Sequence, residues 1–89
     1  MIGAWAQYWE ESERGWGVRP DGVYLYPTKE AAETDTKKRL KAMRNAEAKL
    51  YVGIPDEYSR PAGAPKFVPV GAKLATEIKK KGYVYKDRL

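Results

Sequence analysis

A chain of 89 residues with no cysteine and no histidine has to fold without a staple. No disulfide framework can form, and the commonest zinc ligands are missing. A chain of this length buries little more than ~60% of the surface its unfolded form exposes. It therefore holds one core, and residues 1–89 are read as a single domain. One protomer has little room for an elaborate pocket, so a homo-oligomer, with its interface as the place for a large ligand site, is expected. The same absences remove the commonest general base and the strongest nucleophile. Three Trp, seven Tyr and seventeen Lys and Arg remain, groups that bind more readily than they react.

The spacing of apolar residues and breakers predicts an α+β fold. Residues 4–9, Ala-Trp-Ala-Gln-Tyr-Trp, alternate loosely as a first strand, and Glu10–Arg14 reads as a polar connection. Pro20-Asp21-Gly22 reads as a turn, since proline presets φ and glycine accepts a positive one. Val23-Tyr24-Leu25-Tyr26 then alternates as a strand, with Val23 and Leu25 on one face and the two tyrosines on the other. Pro27 stops it. Thr28 is an N-cap, Glu30 and Glu33 suit the positive end of a helix dipole, and the helix is expected to run to about residue 50. Ala32, Thr36, Leu40, Met43, Ala46 and Leu50 form its modestly apolar stripe. Residues 53–66, with three prolines and two glycines, read as one long loop, a length that is uncommon in a small domain and often functional. Phe67–Val70 reads as an edge strand because of Pro69. Ala72–Lys81 reads as a second helix closed by Gly82, and Tyr83–Tyr85 as a last strand. The order is β-β-α-β-α-β: a small, mostly antiparallel or mixed sheet with the helices packed on one face.

Charge is unevenly placed. Residues 1–36 carry a net −4 and residues 37–89 a net +9, for +5 in all. A basic half points to an anionic partner or to a solvated helix face. The basic patch singled out is Lys37, Lys38, Lys41 and Arg44, which with Lys79–Lys81 would track a nucleic-acid backbone if it binds one. No apolar run is long enough to span a membrane, and residues 1–5 show no basic region followed by an apolar stretch. A cytoplasmic protein is expected.

Two segments carry the candidate ligand chemistry. In Gly15-Trp16-Gly17-Val18-Arg19-Pro20-Asp21-Gly22, Trp16 offers a stacking ring and Arg19 a planar fork for phosphate or carboxylate. Alternatively, Trp16 is core and Arg19 pairs with Asp21 to stiffen the turn. No helix opens after these glycines, so the segment is no dinucleotide fingerprint. In Asp56-Glu57-Tyr58-Ser59-Arg60-Pro61, Tyr58, Ser59 and Arg60 place a ring, a hydroxyl and a guanidinium together, to recognise a ribose or phosphate or simply to tether the loop. Tyr24 and Tyr26 with Tyr83 and Tyr85 form a stacking platform if their faces coincide, or an aromatic core under the helices. Adjacent Asp56 and Glu57 would point apart, which argues against a carboxylate pair, and neither Ser12 nor Ser59 has a recognisable activating base. No catalytic residue, metal site or cofactor is expected.

The Gly15–Gly22 segment, Tyr24-Leu25, and Pro55-Asp56-Glu57-Tyr58-Ser59-Arg60-Pro61 resemble a family of small proteins encoded by phages and mobile elements, over about half the chain. Relatives often carry histidine near Tyr26 and a shorter central segment; this chain departs at both places, so no role of that histidine transfers. The resemblance implies a mobile-element protein in a bacterial cytoplasm, of a kind often used in counter-defence. Three binding functions follow: sequestration of a small anionic nucleotide signal, inhibition of a host defence protein in the manner of an anti-CRISPR protein, and accessory binding of nucleic acid.

Overall fold

The structure is a computed structural model, and it describes residues 2–13, 17–50 and 57–87. The chain is an α+β fold with a mostly antiparallel five-stranded sheet: β1 (Gly3–Glu13), β2 (Gly17–Tyr26), α1 (Lys29–Leu50), β3 (Glu57–Pro61), β4 (Lys66–Pro69), α2 (Ala72–Lys81) and β5 (Val84–Lys86). The strand order is β3-β1-β2-β5, and β4 also pairs β1. β1 has β2 along one edge. Along the other it has β4 beside Gly3–Ala6 and β3 beside Trp9–Glu13.

β3 and β4 are thus one interrupted strand. The interruption is held by the Ala62 amide donating to the Tyr8 carbonyl (2.8 Å) and by the buried Gln7 amide donating to the carbonyls of Tyr8 (3.0 Å) and Gly63 (2.9 Å). A buried amide with both hydrogens matched avoids the cost of a lone polar group.

Three expectations are corrected. Glu10–Glu13 continue β1, because β2 and β3 pair them on both sides. Glu57–Pro61, expected within a loop, is strand β3; the free edge of β1 supplies the partners that its own sequence does not advertise. Pro20-Asp21-Gly22 lies within β2. Tyr8 pairs Val23 and Glu10 pairs Pro20, so Asp21 and Gly22 together face Trp9. This is a β-bulge with Gly22 at φ 100°, and the positive φ that suggested a turn is used to bend a strand.

The helices divide between the two faces of the sheet instead of sharing one. Strand alternation decides this. Val23, Leu25, Ala4 and Ala6 form one buried cluster with Ile78 of α2, bordered by Leu74, Val68 and Val84. Tyr24 and Tyr26 point the other way and meet Asp35 and Arg39 of α1. On that side Ala32 is fully buried, and the small residue lets α1 lie close to the sheet. α1 starts as expected, with the Thr28 Oγ1 accepting from the Ala31 amide (3.1 Å). α2 ends at Gly82 in the left-handed region (φ 88°), whose amide donates to the Ile78 carbonyl (2.8 Å). No helix among the described residues is long and apolar enough to cross a membrane.

Candidate functional site

The bulge in β2 is the origin of the site. An ordinary pairing would set one residue against Trp9; the extra residue turns the strand and re-aims Asp21. Asp21 accepts a short hydrogen bond from the Ser59 hydroxyl of β3, reaching over β1. The two sequence segments singled out above therefore meet, and they meet through this pair.

Tyr24 is the hub beside it. Its ring centroid lies 4.9 Å from that of Tyr85, 5.9 Å from Tyr83, 6.2 Å from Trp9 and 6.5 Å from Tyr26. Tyr83 and Tyr85 do join the face of Tyr24 and Tyr26, and the group is partly covered by α1 and partly open, with Tyr83 and Tyr85 42% and 44% exposed. The Tyr85 ring packs directly on Gly22, where an added Cβ would sit 2.7 Å from Cε1 and 2.8 Å from Cζ. Absence of a side chain at Gly22 is therefore what lets Tyr85 close onto Tyr24.

Arg39 covers the cluster from α1. Its guanidinium carbon lies 4.1 Å from the Tyr24 ring centroid and 5.0 Å from that of Tyr83. Its Nε donates to Asp35 Oδ2 (2.8 Å), and the same oxygen accepts from the Tyr26 hydroxyl (2.5 Å). Burial works against charge on Arg39, but the bonds to Asp35 and the tyrosines outweigh it and hold the guanidinium protonated more firmly than usual. Burial likewise opposes charge on Asp35, and donation from Tyr26 and Arg39 overcomes it, so its carboxyl titrates below its ordinary value. Tyr26 is pushed well above the normal phenol range, first by burial and then by its bond to Asp35. For Tyr85, burial raises the phenol, and the carboxylates of Asp87 and Asp21 add to it.

Between α1 and the sheet, Trp9, Asp21, Tyr24, Arg39, Ser59 and Tyr85 line a cleft of about 420 Å³, bordered on the helix side by Ala42 and Met43. A volume of a few hundred Å³ suits a small organic ligand. The cleft combines π faces, a fixed cation, and a carboxylate with its hydroxyl partner. That set can stack a flat ring, neutralise an anionic group and accept hydrogen bonds from sugar hydroxyls. A second cleft of about 450 Å³ lies towards the connected end of the β1–β2 hairpin, among Tyr8, Val18, Pro20 and Val23. Of its charged groups Glu10, Arg19 and Asp87, the first two are in ion pairs with Arg60 and Glu11.

Of the residues expected from sequence, the main cleft gathers Asp21, Tyr24 and Ser59. The two expected arginines do not converge on it. Arg19 is exposed and bonds Glu11 across the β1–β2 ladder (3.2 and 3.3 Å), not Asp21. Arg60 pairs with Glu10 (2.7 Å), and as the strand neighbour of Ser59 it points to the opposite face. Trp16 lies outside the described residues, as do the side chains of Tyr58 and Arg44. Lys37, Lys38 and Lys41 are exposed on α1, and Lys79, Lys80 and Lys81 on α2, across the sheet from them. Sequence reasoning missed Arg39, Trp9 and Met43. The i,i+4 spacing of Asp35 and Arg39 was a usable signal, because it fixes a guanidinium that the neighbouring lysines leave loose.

Among the described residues no group of three or more acidic, histidine or cysteine side chains is gathered that could hold a metal ion. Compared with protein-family models, curated proteins and solved structures, the chain matches none.

Proposed function

We propose that this chain is a non-enzymatic binding protein of the phage counter-defence type, which sequesters a small anionic nucleotide in the cleft between α1 and the sheet. One observation carries the reading. The Asp21–Ser59 pair, drawn from both sequence segments, opens onto the same cleft as Arg39 and the Tyr24–Tyr85 rings. The rings stack a base, Arg39 meets a phosphate, and Asp21 takes a sugar hydroxyl. The protein works in the host bacterial cytoplasm as a homo-oligomer, whose second copy would enclose a ligand that one small protomer leaves half open. The resemblance of the two segments to phage and mobile-element proteins supports the biological setting. Among the described residues, the basic side chains on α1 and α2 lie on opposite sides of the sheet and offer no single strip to a nucleic-acid backbone, which favours the small ligand over the accessory role.

Calorimetry of the folded protein against cyclic dinucleotides and cyclic ADP-ribose isomers tests the proposal. A stoichiometric complex that Arg39→Met and Tyr85→Ala each weaken about tenfold, the effect of roughly 1.4 kcal/mol, is expected. Absence of binding across the panel by protein that melts cooperatively overturns it, and a stoichiometric host protein in a pull-down would then favour the inhibitor reading.

A further inference from the structure

The two edges of the sheet are not alike. One edge is the interrupted strand β3–β4, which carries Pro61 and Pro69, with Pro65 between the two pieces and an exposed Lys66. Proline has no N–H to offer, and a lysine on an edge opposes the addition of another strand. The other edge is β5, which pairs β2 through Val84, Tyr85 and Lys86 and has no described strand on its outer side. It holds no proline. Alternate backbone groups of an edge strand point outward and form a template for pairing. Tyr83 and Tyr85, two of the large side chains that the fold leaves exposed, stand at this edge. A hollow of about 460 Å³ lies between the end of α2 and β5, bordered by Glu77, Lys81 and Lys86, so α2 stops short of covering the edge. Charge selects the occupant. The whole chain carries +5, and α1 presents Lys37, Lys38 and Lys41 outward, so an approach of two copies through α1 sets like charges together. Bordering β5 are Glu77 and Asp87 against Lys81 and Lys86, two acids and two bases. A two-fold interface uses one patch twice, and a balanced patch meets its own copy without net repulsion.

We infer that β5 pairs antiparallel with β5 of a second copy across a two-fold axis, and that a tyrosine of that copy closes the open side of the nucleotide cleft. The inference rests on the proposed function and locates its oligomer. An axis that pairs two edge strands antiparallel stands perpendicular to the sheet, so the face covered by α1 in one protomer continues into the same face of the other. Tyr83 and Tyr85 belong to that face, packed on Tyr24. Residues directly opposite one another in a ladder share a face. Pairing centred on Val84 therefore sets the partner's Tyr83 against Tyr85, and pairing centred on Tyr85 sets the partner's Tyr85 there. Either register places a second ring beside Tyr85, which lines the cleft and is 44% exposed in one protomer. A nucleotide held there touches rings from both copies, and a single protomer binds it less tightly.

The test uses the full chain. Sedimentation equilibrium should give twice the mass of the 10.1 kDa chain. The chain has no cysteine, so Lys86→Cys offers a single attachment point for a nitroxide at an exposed position of β5. Labels on two strands ~5 Å apart should broaden one another's spectra, and a label at Lys66→Cys on the opposite edge should not be broadened. Lys86→Glu leaves three acids against one base at the edge. It should weaken self-association, and binding of the cyclic dinucleotides or cyclic ADP-ribose isomers named above, about tenfold each, in protein that still melts cooperatively. If Lys86→Glu fails to fold, the mass and the label spectra decide. Nucleotide bound by a monomer, by a dimer whose β5 labels do not couple, or equally well by a Lys86→Glu protein that dimerises as the parent does overturns the inference and leaves the cleft as the nucleotide site. A dimer coupled through β5 that binds no nucleotide overturns the proposed function and keeps the strand pairing. A monomer that binds no nucleotide overturns both.

Discussion

Gly22→Ala is the most informative single change, because the structure separates its cost into two parts. The first is backbone. Gly22 sits at φ 100°, and an alanine held there costs about 1–3 kcal/mol, less about 0.4–1 kcal/mol regained from restricting the unfolded chain. The second is steric. The new methyl would meet the Tyr85 ring, which can swing away only by leaving Tyr24, an aromatic contact worth about 0.5–1.5 kcal/mol. The expected loss is about 1–3 kcal/mol. With a urea slope near 1 kcal/mol/M for so small a domain, the unfolding midpoint falls by about 1–3 M. Two controls isolate the parts. Gly17 has a similar φ of 85°, but an added Cβ there meets nothing within 4 Å, so Gly17→Ala reports the backbone cost alone. In a Tyr85→Ala background Gly22→Ala keeps its backbone cost and loses the steric part, a coupling of about 0.5–1.5 kcal/mol. A Gly22→Ala protein within 0.5 kcal/mol of the parent refutes the bulge argument, and an equal loss with and without Tyr85 refutes the ring contact.

Ile78→Ala empties the centre of the α2 face, where Ile78 is 1% exposed, and should cost about 2–4 kcal/mol with a fall in Tm of at least ~10 °C; a loss below ~1 kcal/mol would mean that α2 does not pack as described. Thr28→Ala removes the cap of α1 and should cost about 1 kcal/mol in chemical denaturation, while Thr28→Ser restores most of it. Asp35 is held below its ordinary carboxyl value when folded, so its contribution is complete above about pH 4 and is lost as pH falls through the depressed value. Stability measured from pH 6 down to pH 2 should therefore fall less steeply in Asp35→Asn than in the parent, and parallel curves would refute this. Tyr26 has the opposite sense: its raised value stabilises the fold below about pH 10 and the gain is lost as pH rises beyond it, so Tyr26→Phe should flatten the alkaline limb.

Much of the fold was legible wherever a short stretch carries its own instruction. Thr28 before an acidic first turn starts α1, Gly82 in the left-handed region stops α2, and the alternation of Val23-Tyr24-Leu25-Tyr26 sorts apolar from aromatic residues to two faces. The site was half legible. Asp21, Tyr24 and Ser59 stood out by residue type and context. Arg39 did not, because six cations crowd the second half of α1 and its i,i+4 spacing from Asp35 is a weak local signal.

Propensity, capping and period depend only on near neighbours along the chain, and they set the helices and the opposed faces of β2, while the lack of cysteine excludes any disulfide staple. Tertiary structure decided the rest. It made Glu57–Pro61 a strand because β1 had an edge to fill, turned Pro20-Asp21-Gly22 from a turn into a bulge because β1 continued past it, and sent α1 and α2 to opposite faces because both faces of β2 were apolar enough to need cover. It chose Arg39 because that guanidinium alone, among the described cations of α1, reaches both Asp35 and the Tyr24 ring. Each of these outcomes depends on groups distant in sequence satisfying one another's hydrogen bonds and buried surface, and pairings of that kind exist only once the chain has closed on itself.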